Sequence, residues 1–152
     1  RADVIACCGG GGLTSGIALA LEAEAPGLRA RTAEPEGFDD AARSLAAGEI
    51  TRNAALGGSI CDAIVTPQPG DLTFPILKRL CGPGLVVSDA EALQAIGHAF
   101  NRLKLVAEPG GAVALAAALF RQDEIDGDDV IVTISGGNVD SDIFSRALAT
   151  LD

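Results

Sequence analysis

Residues 7–16 read Cys-Cys-Gly-Gly-Gly-Gly-Leu-Thr-Ser-Gly, with four consecutive glycines between two apolar segments. The segment before them, residues 4–6, is Val-Ile-Ala, which is typical of a buried strand. The segment after them, residues 17–21, is typical of the first turns of a helix. A glycine turn that leads into a helix exposes backbone N–H groups and adds the positive end of the helix dipole. This pattern predicts a phosphate-binding loop at Gly9, Gly10, Gly11 and Gly12.

A flexible glycine linker is the alternative interpretation of this loop. We favour the phosphate loop, because linkers are rarely enclosed between a buried strand and an apolar helix. The loop lacks the Lys and Ser/Thr of the Walker pattern, and it also lacks the spaced glycines of the dinucleotide fingerprint. The loop therefore predicts a phosphate ligand without identifying the molecule that carries it.

Length and composition fit one α/β domain. The chain has 152 residues, of which 48% are hydrophobic and only 3% aromatic, a mix that suits close-packed helices and sheet. Its net charge of -10 argues against nucleic acid or an anionic membrane as a partner. No segment has the length of a membrane span or the pattern of a signal peptide. The four cysteines show no CxxC spacing, which indicates reduced thiols in a cytoplasmic protein rather than a zinc site.

Predicted strands and helices alternate along the chain. Helices are expected over residues 14–25, 39–47, 74–81, 88–106, 112–120 and from residue 140 onward. Ser88 and Glu91 have the spacing of a capping box. Strands are expected over residues 4–6, 29–33, 62–65, 85–87 and 130–134. This alternation predicts an open, mostly parallel sheet with helices on both faces.

Two glycine turns should meet at one edge of that sheet. One follows the first predicted strand, and the other, Ser135-Gly136-Gly137-Asn138, follows the last. Ligands of open α/β folds bind at the carboxyl ends of the strands. We therefore expect both turns to contribute to a single ligand site.

Three further motifs make the pattern specific: residues 34–40 (Glu-Pro-Glu-Gly-Phe-Asp-Asp), 108–112 (Glu-Pro-Gly-Gly-Ala) and 135–140 (Ser-Gly-Gly-Asn-Val-Asp). With the glycine loop, the chain resembles the C-terminal half of the threonine dehydratases and serine racemases, which are pyridoxal-phosphate enzymes of fold type II. The resemblance implies that Gly9, Gly10, Gly11, Gly12 and Leu13 bind the cofactor phosphate. It implies that Ser135 hydrogen-bonds the pyridine nitrogen and that Glu108 closes over the cofactor.

The resemblance also implies a divalent cation site. Many members bind Mg²⁺ or Ca²⁺ through positions matching the carboxylates of Glu34 and Asp40 and the backbone carbonyl of Phe38, which are hard oxygen ligands. The alternative is that these acids only decorate a helix N-terminus. From the residues alone the two interpretations are even, and the resemblance favours the cation. Some relatives bind a nucleotide effector at positions matching Lys104 and Asn138, but two residues are too few to assign one.

The activity that the resemblance implies is that of an ammonia-lyase, which converts serine, threonine or 3-hydroxyaspartate to a 2-oxo acid and ammonia. The sequence contains two lysines, Lys78 and Lys104, and neither lies in the Ser/Ala-x-Lys-x-Arg context of the family's Schiff-base lysine. We therefore expect residues 1–152 to be a C-terminal cofactor-binding part whose catalytic lysine lies upstream of Arg1.

The predicted partners of the full-length protein are a small amino-acid substrate and a second copy of itself in a homodimer. Two alternatives to the ammonia-lyase remain open. One is serine racemase activity in the full-length protein, and the other is a non-catalytic phosphate- or cofactor-binding module.

Overall fold

The computed structural model describes residues 2–127 and 129–151, which contain a four-stranded sheet. Its strands are β1 (Ala2–Cys7), β2 (Leu28–Pro35), β3 (Leu85–Val87) and β4 (Val130–Val132). They lie in the order β3-β2-β1-β4, and every neighbouring pair is parallel. The predicted α/β fold with a mostly parallel sheet is therefore confirmed.

Helices cover both faces of the sheet. They are α1 (Gly12–Glu24), α2 (Asp40–Ala47), α3 (Phe74–Leu80), α4 (Asp89–His98), α5 (Pro109–Phe120) and α6 (Ser141–Ala149). On one face, α5 contacts β1, β2 and β3 and carries α4, which in turn packs on α6. On the other face, α1 and α2 contact β2, and α3 packs against both of these helices. The capping box predicted for α4 is present, with the Ser88 side chain accepting from the Glu91 N–H.

The two faces bury different side chains of the same strands. Ile5 and Cys7 of β1 belong to the main core with Leu85, Val87 and the alanines of α4 and α5. The neighbouring Cys8 instead packs with Ala41 of α2 and Leu77 of α3. Successive residues of a strand point to opposite faces, so the apolar run around residues 4–8 supplies both cores.

Four details of the predicted elements are wrong. Residues 62–65 were expected to form a strand, but Asp62–Ile64 is a short 3₁₀ helix. The last strand covers only Val130–Val132, and it lies at the edge of the sheet. The helix α5 already begins at Pro109 rather than at residue 112. The helix predicted to reach residue 106 continues from α4 through a π-helical turn, Ala99–Leu103, and stops at Lys104, which has a φ of 59°.

A buried ion-pair network lies at the amino end of the first two strands. The Asp3 carboxylate, fully buried, accepts hydrogen bonds from Arg29 Nε at 2.8 Å and from Arg31 Nη1 at 3.0 Å. Burial works against the charged carboxylate, but these hydrogen bonds outweigh it and hold the pKa of Asp3 below its ordinary value. The glycine loop and Ser135 follow β1 and β4 at the opposite, carboxyl end of the sheet.

Among residues 2–127 and 129–151, no helix combines the length and the apolar character required to cross a membrane.

Candidate functional site

The glycine loop joins β1 to α1 at the carboxyl end of the sheet. The first hydrogen bond of the helix runs from the Ser15 N–H to the Gly11 carbonyl at 2.9 Å, so the N–H groups before it have no helical acceptor. Within the described part of the chain, no protein acceptor pairs with the N–H groups of residues 9–13. The exposed Gly10 and Gly12 have nothing within 4 Å of the position of a Cβ. The loop thus presents a row of free backbone donors, and at Gly10 and Gly12 no side chain lies nearby.

Ser135 follows the edge strand β4, which pairs directly with β1. Two backbone hydrogen bonds attach the Ser135 loop to the start of α5, from Ser135 N–H to Gly111 O at 3.3 Å and from Glu108 N–H to Gly136 O at 3.0 Å. A Cβ on Gly111 would lie 2.5 Å from the Gly136 carbonyl oxygen, so this close approach requires glycine. The loops that carry Ser135 and Glu108 are therefore held together.

A cleft of about 490 Å³ opens beside this junction. Glu108 and Asn138 line it, together with residues of the 3₁₀ turn and of the start of α6. Ser135 and residues 9–13 are not part of its lining. Of the residues predicted to contact the cofactor, Glu108 is therefore the one that lines this cleft.

The sequence did not indicate Asp62, which lines the same cleft from the 3₁₀ helix. The segment before it is held by Asp89 of α4, which accepts from Ser59 Oγ at 2.6 Å and from the Ile60 N–H at 3.1 Å. Residues 62–65 were predicted as a strand, so no pattern in the sequence placed Asp62 at the site.

The three predicted cation ligands lie where β2 leads into α2. The Glu34 carboxylate, fully buried, accepts from the N–H groups of Ala41 at 2.8 Å and Ala42 at 2.7 Å. Asp40 Oδ1 accepts from the side-chain amide of Asn53 at 2.7 Å. Asp40 Oδ2 is buried and has no hydrogen-bond partner among the described residues. Since buried polar atoms are nearly always paired, this oxygen fits a missing ligand.

Burial and mutual repulsion make the ionised forms of these acids costly. Burial raises the pKa of Glu34 to about 8, against the opposing effect of its two backbone hydrogen bonds, and the charge of Asp40 adds to the rise. Burial likewise raises the pKa of Asp40, although Asn53 hydrogen-bonds to it. The described residues contain no group of three His, Cys, Asp or Glu side chains able to hold a metal ion. A cation here would therefore rely on two carboxylates and the Phe38 carbonyl.

All four cysteines are free thiols, and three of them are buried. Cys7 Sγ donates to the Gly111 carbonyl at 3.5 Å, beneath the junction that carries Ser135. Burial raises the pKa of the Cys7 thiol and raises that of Cys61 to about 12. These thiols are therefore neutral packing groups at physiological pH rather than nucleophiles.

Neither lysine approaches the site. Lys78 Nζ donates to the Gly48 carbonyl at 2.8 Å, and Lys104 Nζ donates to the Asn101 carbonyl at 3.0 Å and lies 5.8 Å from the centre of the Phe100 ring. Both side chains are exposed. The described residues thus hold the predicted phosphate loop and pyridine partner without an amine directed at them.

A family model described as pyridoxal-phosphate dependent enzyme matches residues 1–137. The chain therefore belongs to the pyridoxal-phosphate dependent enzymes. This membership confirms the family expected from the glycine, Glu108 and Ser135 motifs. It also agrees with the parallel sheet and with the position of the glycine loop at its carboxyl end.

Among curated proteins, the chain is similar to a serine racemase of Dictyostelium discoideum, with 38% identity over 148 residues, covering 95% of this chain and 45% of the racemase. It is also similar to a beta-hydroxyaspartate dehydratase of Paracoccus denitrificans, with 40% identity over 139 residues, covering 91% and 44% of the two chains. The chain thus spans about half the length of the curated relatives it matches.

Among solved structures, the fold is similar to a threonine deaminase from T.th., with a TM-score of 0.86 and 40% sequence identity. The match covers 91% of this chain and 50% of that structure. The Dictyostelium discoideum serine racemase structure gives a TM-score of 0.79 at 38% identity, and covers 91% and 44% of the two chains. Dehydratase, deaminase and racemase relatives therefore share this fold and this level of sequence similarity.

Proposed function

We propose that this chain is the cofactor-binding part of a larger pyridoxal-phosphate ammonia-lyase. Its substrate would be a small β-hydroxy amino acid such as serine, threonine or 3-hydroxyaspartate, and its products a 2-oxo acid and ammonia. The main support is the row of free N–H donors at residues 9–13, on the sheet edge that also carries Ser135 and Glu108. When bound, pyridoxal phosphate supplies the electron sink that makes the α-proton of an amino acid acidic.

The glycine loop would bind the phosphate group of the cofactor. A phosphate dianion accepts several hydrogen bonds at once, and the free N–H groups of residues 9–13 supply donors without intervening side chains. The N-terminal end of α1 adds a favourable dipole for the negative charge. The donor set of this loop therefore fits the group that the family requires.

Ser135 would act at the opposite end of the cofactor ring. Its hydroxyl would donate a hydrogen bond to an unprotonated pyridine nitrogen, whereas a carboxylic acid at this position would protonate that nitrogen. An unprotonated ring is a weaker electron sink, which suits elimination of a β-hydroxyl group over transamination. Glu108, whose backbone N–H donates to the Gly136 carbonyl of the same loop, would help to hold the cofactor in place.

The amine that holds the cofactor would come from polypeptide outside residues 1–152. Both lysines of this chain are exposed and bonded to carbonyl groups away from the glycine loop. The relatives are about twice the length of this chain, which supports a second part of comparable size.

We also propose that Glu34, the Phe38 carbonyl and Asp40 bind Mg²⁺ or Ca²⁺. The support is the buried, unpaired Asp40 Oδ2 beside a second buried carboxylate, because a cation relieves both the missing contact and the repulsion. A homodimer and a cytoplasmic location remain predictions for the whole protein.

A purified whole protein tests the activity directly. It should release ammonia and a 2-oxo acid from at least one of L-serine, L-threonine and L-threo-3-hydroxyaspartate. Ser135→Ala should lower kcat strongly, while Ser145→Ala, which removes a hydroxyl from the exposed face of α6, should behave as wild type. Cofactor binding without product from any of the three substrates would contradict the ammonia-lyase.

Racemisation is the second candidate, supported by the 38% identity to the serine racemase. Chiral chromatography of the same reactions distinguishes it. Accumulation of D-serine faster than the 2-oxo acid would assign the protein to the racemases, and 2-oxo acid without D-serine would assign it to the lyases.

A further inference from the structure

Thr73 makes an unusual contact for its position in the fold. It is the residue before α3, where a threonine side chain commonly accepts a hydrogen bond from an N–H of the helix it precedes. Here the side chain makes no such bond. Its Oγ1 instead lies 2.5 Å from the carbonyl oxygen of Gly10, a residue 63 positions earlier in the chain. The same Oγ1 lies 3.1 Å from the carbonyl oxygen of Gly70, so the hydroxyl links the glycine loop to the segment before α3.

The Gly10 carbonyl is held from two directions. Besides the Thr73 hydroxyl, the N–H of Gly70 donates to it at 3.0 Å. The peptide bond between Gly10 and Gly11 is trans, so its carbonyl and its N–H point in opposite directions. Fixing the Gly10 carbonyl toward the segment before α3 therefore directs the Gly11 N–H away from it, where it has no protein acceptor in the described chain.

Gly11 itself is packed tightly against the same residue. It has a φ of 94°, and a Cβ there would lie 2.8 Å from Thr73 Oγ1 and 2.9 Å from Leu77 Cδ1. The Ser15 hydroxyl adds a link from α1, since it donates to the Thr73 carbonyl at 3.3 Å. Thr73 thus lies against both Gly10 and Gly11, the two residues joined by the peptide bond whose N–H is free.

We propose that Thr73 is a positioning residue for phosphate recognition, whose hydroxyl holds the Gly10–Gly11 peptide so that the Gly11 N–H faces the phosphate group. The proposal rests on the proposed function, because it takes the phosphate of the pyridoxal cofactor as the ligand. Thr73 acts through the loop backbone and leaves direct contact with the phosphate to the N–H groups.

Binding of the cofactor with and without its phosphate tests this role. Equilibrium dialysis of the whole apoprotein gives the Kd of pyridoxal phosphate and of pyridoxal, and the Kd of pyridoxal divided by the Kd of pyridoxal phosphate measures recognition of the phosphate. Thr73→Val removes the hydroxyl with little change of shape, and it should lower this ratio about two- to tenfold, the effect of one lost hydrogen bond. Thr73→Ser should restore the ratio. Thr150→Val removes a distant threonine hydroxyl, bonded to the Ala147 carbonyl of α6, and is the matched control.

A purely structural role for Thr73 would weaken both ligands equally and leave the ratio unchanged, which would overturn the proposal. If Thr73→Val does not fold, Gly70→Ala is the second variant, because its Cβ would lie 3.0 Å from Thr73 Oγ1 and 3.3 Å from the Gly10 carbonyl oxygen. An unchanged ratio in that variant also overturns the proposal. A wild-type protein that binds pyridoxal as tightly as pyridoxal phosphate would instead refute the phosphate loop of the proposed function.

Discussion

Gly11 shows at the scale of one residue why four consecutive glycines stand where β1 leads into α1. Its positive φ and its contacts with Thr73 and Leu77 exclude a side chain, while Gly10 and Gly12 face open space. The backbone conformation alone costs a residue with a Cβ about 1–2 kcal/mol. The run of glycines therefore satisfies two requirements, a left-handed turn at one position and bare N–H groups at the others.

We predict that Gly11→Asp in the whole protein loses pyridoxal phosphate. The side chain would overlap Thr73 and Leu77, and its carboxylate would repel the phosphate dianion. Absorbance of the bound cofactor in the purified variant measures the loss. Gly16→Ala is the control, because Gly16 lies in α1 with nothing near its Cβ position. That control should keep the cofactor and gain roughly 0.5–1 kcal/mol of stability. Unchanged cofactor content in Gly11→Asp would refute the phosphate loop.

Asp40 is the residue on which the cation proposal depends. Wild type should melt roughly 5–10 °C higher at saturating Mg²⁺ or Ca²⁺ than with chelator, because a ligand that binds only the folded state stabilises it. In Asp40→Ala this difference should disappear, since the unpaired Oδ2 is removed. Differential scanning calorimetry with and without chelator measures both.

Asp39→Ala is the matched control for the cation experiment. Asp39 is the neighbouring acid, and its carboxylate lies 3.4 Å from Arg43 Nε. This variant should keep the cation-dependent rise in melting temperature. If wild type melts alike with and without chelator, the acids serve only the start of α2.

At the scale of the elements, most of the helices and strands could be predicted from the sequence because their apolar periodicity is strong. Residues 62–65 could not, because a four-residue segment of this kind fits a strand as well as a helical turn. In the structure the half-buried Ile64 packs against the main core beside Gly110 of α5, and the segment turns as a 3₁₀ helix and does not join the sheet.

The first residue of α5 was predicted wrongly for a different reason. Proline and glycine are usual signals of a turn, so residues 109–111 were assigned to the break before the helix. In the structure Pro109 occupies the first helical turn, where its missing N–H costs nothing, and Gly111 permits the close approach of the Ser135 loop. The proline is a local signal of a helix start, whereas the need for glycine at residue 111 comes from a loop that lies far away in sequence.

The ion-pair network at the amino end of β1 and β2 gives a prediction about stability. Asp3→Asn should cost about 3 kcal/mol near neutral pH, because it leaves the buried Arg31 and the largely buried Arg29 without their carboxylate. The pKa of Asp3 is lowered in the folded state, so its contribution is complete above the ordinary value of 3.8 and is lost as the pH falls through the folded value.

Urea unfolding from about pH 7 down to about pH 3 checks this sign. The difference in unfolding free energy between wild type and Asp3→Asn should be constant near neutral pH. It should become smaller as the pH falls below 3.8, the ordinary pKa of Asp3. Asp126→Asn, whose exposed carboxylate also contacts Arg29, should cost less than about 1 kcal/mol. If Asp3→Asn and Asp126→Asn lowered the unfolding free energy equally, burial would not be what makes the Asp3 ion pairs stabilising.

At the scale of the whole molecule, the sequence predicted that the glycine loop and the Ser135 loop lie at the same end of the sheet. It did not predict the hydrogen bonds that hold the loops of the candidate sites in place. Strand order places β1 beside β4, so the glycine loop and Ser135 had to lie at one edge. Thr73 and Asn53 were missed because their contacts, to Gly10 and Asp40, join segments with no shared pattern. Such long-range hydrogen bonds depend on how α3 and the segment after α2 pack against the rest of the protein. No local sequence pattern predicts that packing.

The last prediction concerns the reacting amine. Treatment of residues 1–152 with pyridoxal phosphate and borohydride should label neither Lys78 nor Lys104 stoichiometrically, and the chain alone should not turn over serine or threonine. Both amines are exposed and bonded to the carbonyls of Gly48 and Asn101, so neither lies in a buried pocket of the kind that holds a reacting lysine. In the whole protein, mass spectrometry should map one label to a lysine outside this chain. Stoichiometric label on Lys104 together with turnover would show that residues 1–152 carry the complete enzyme.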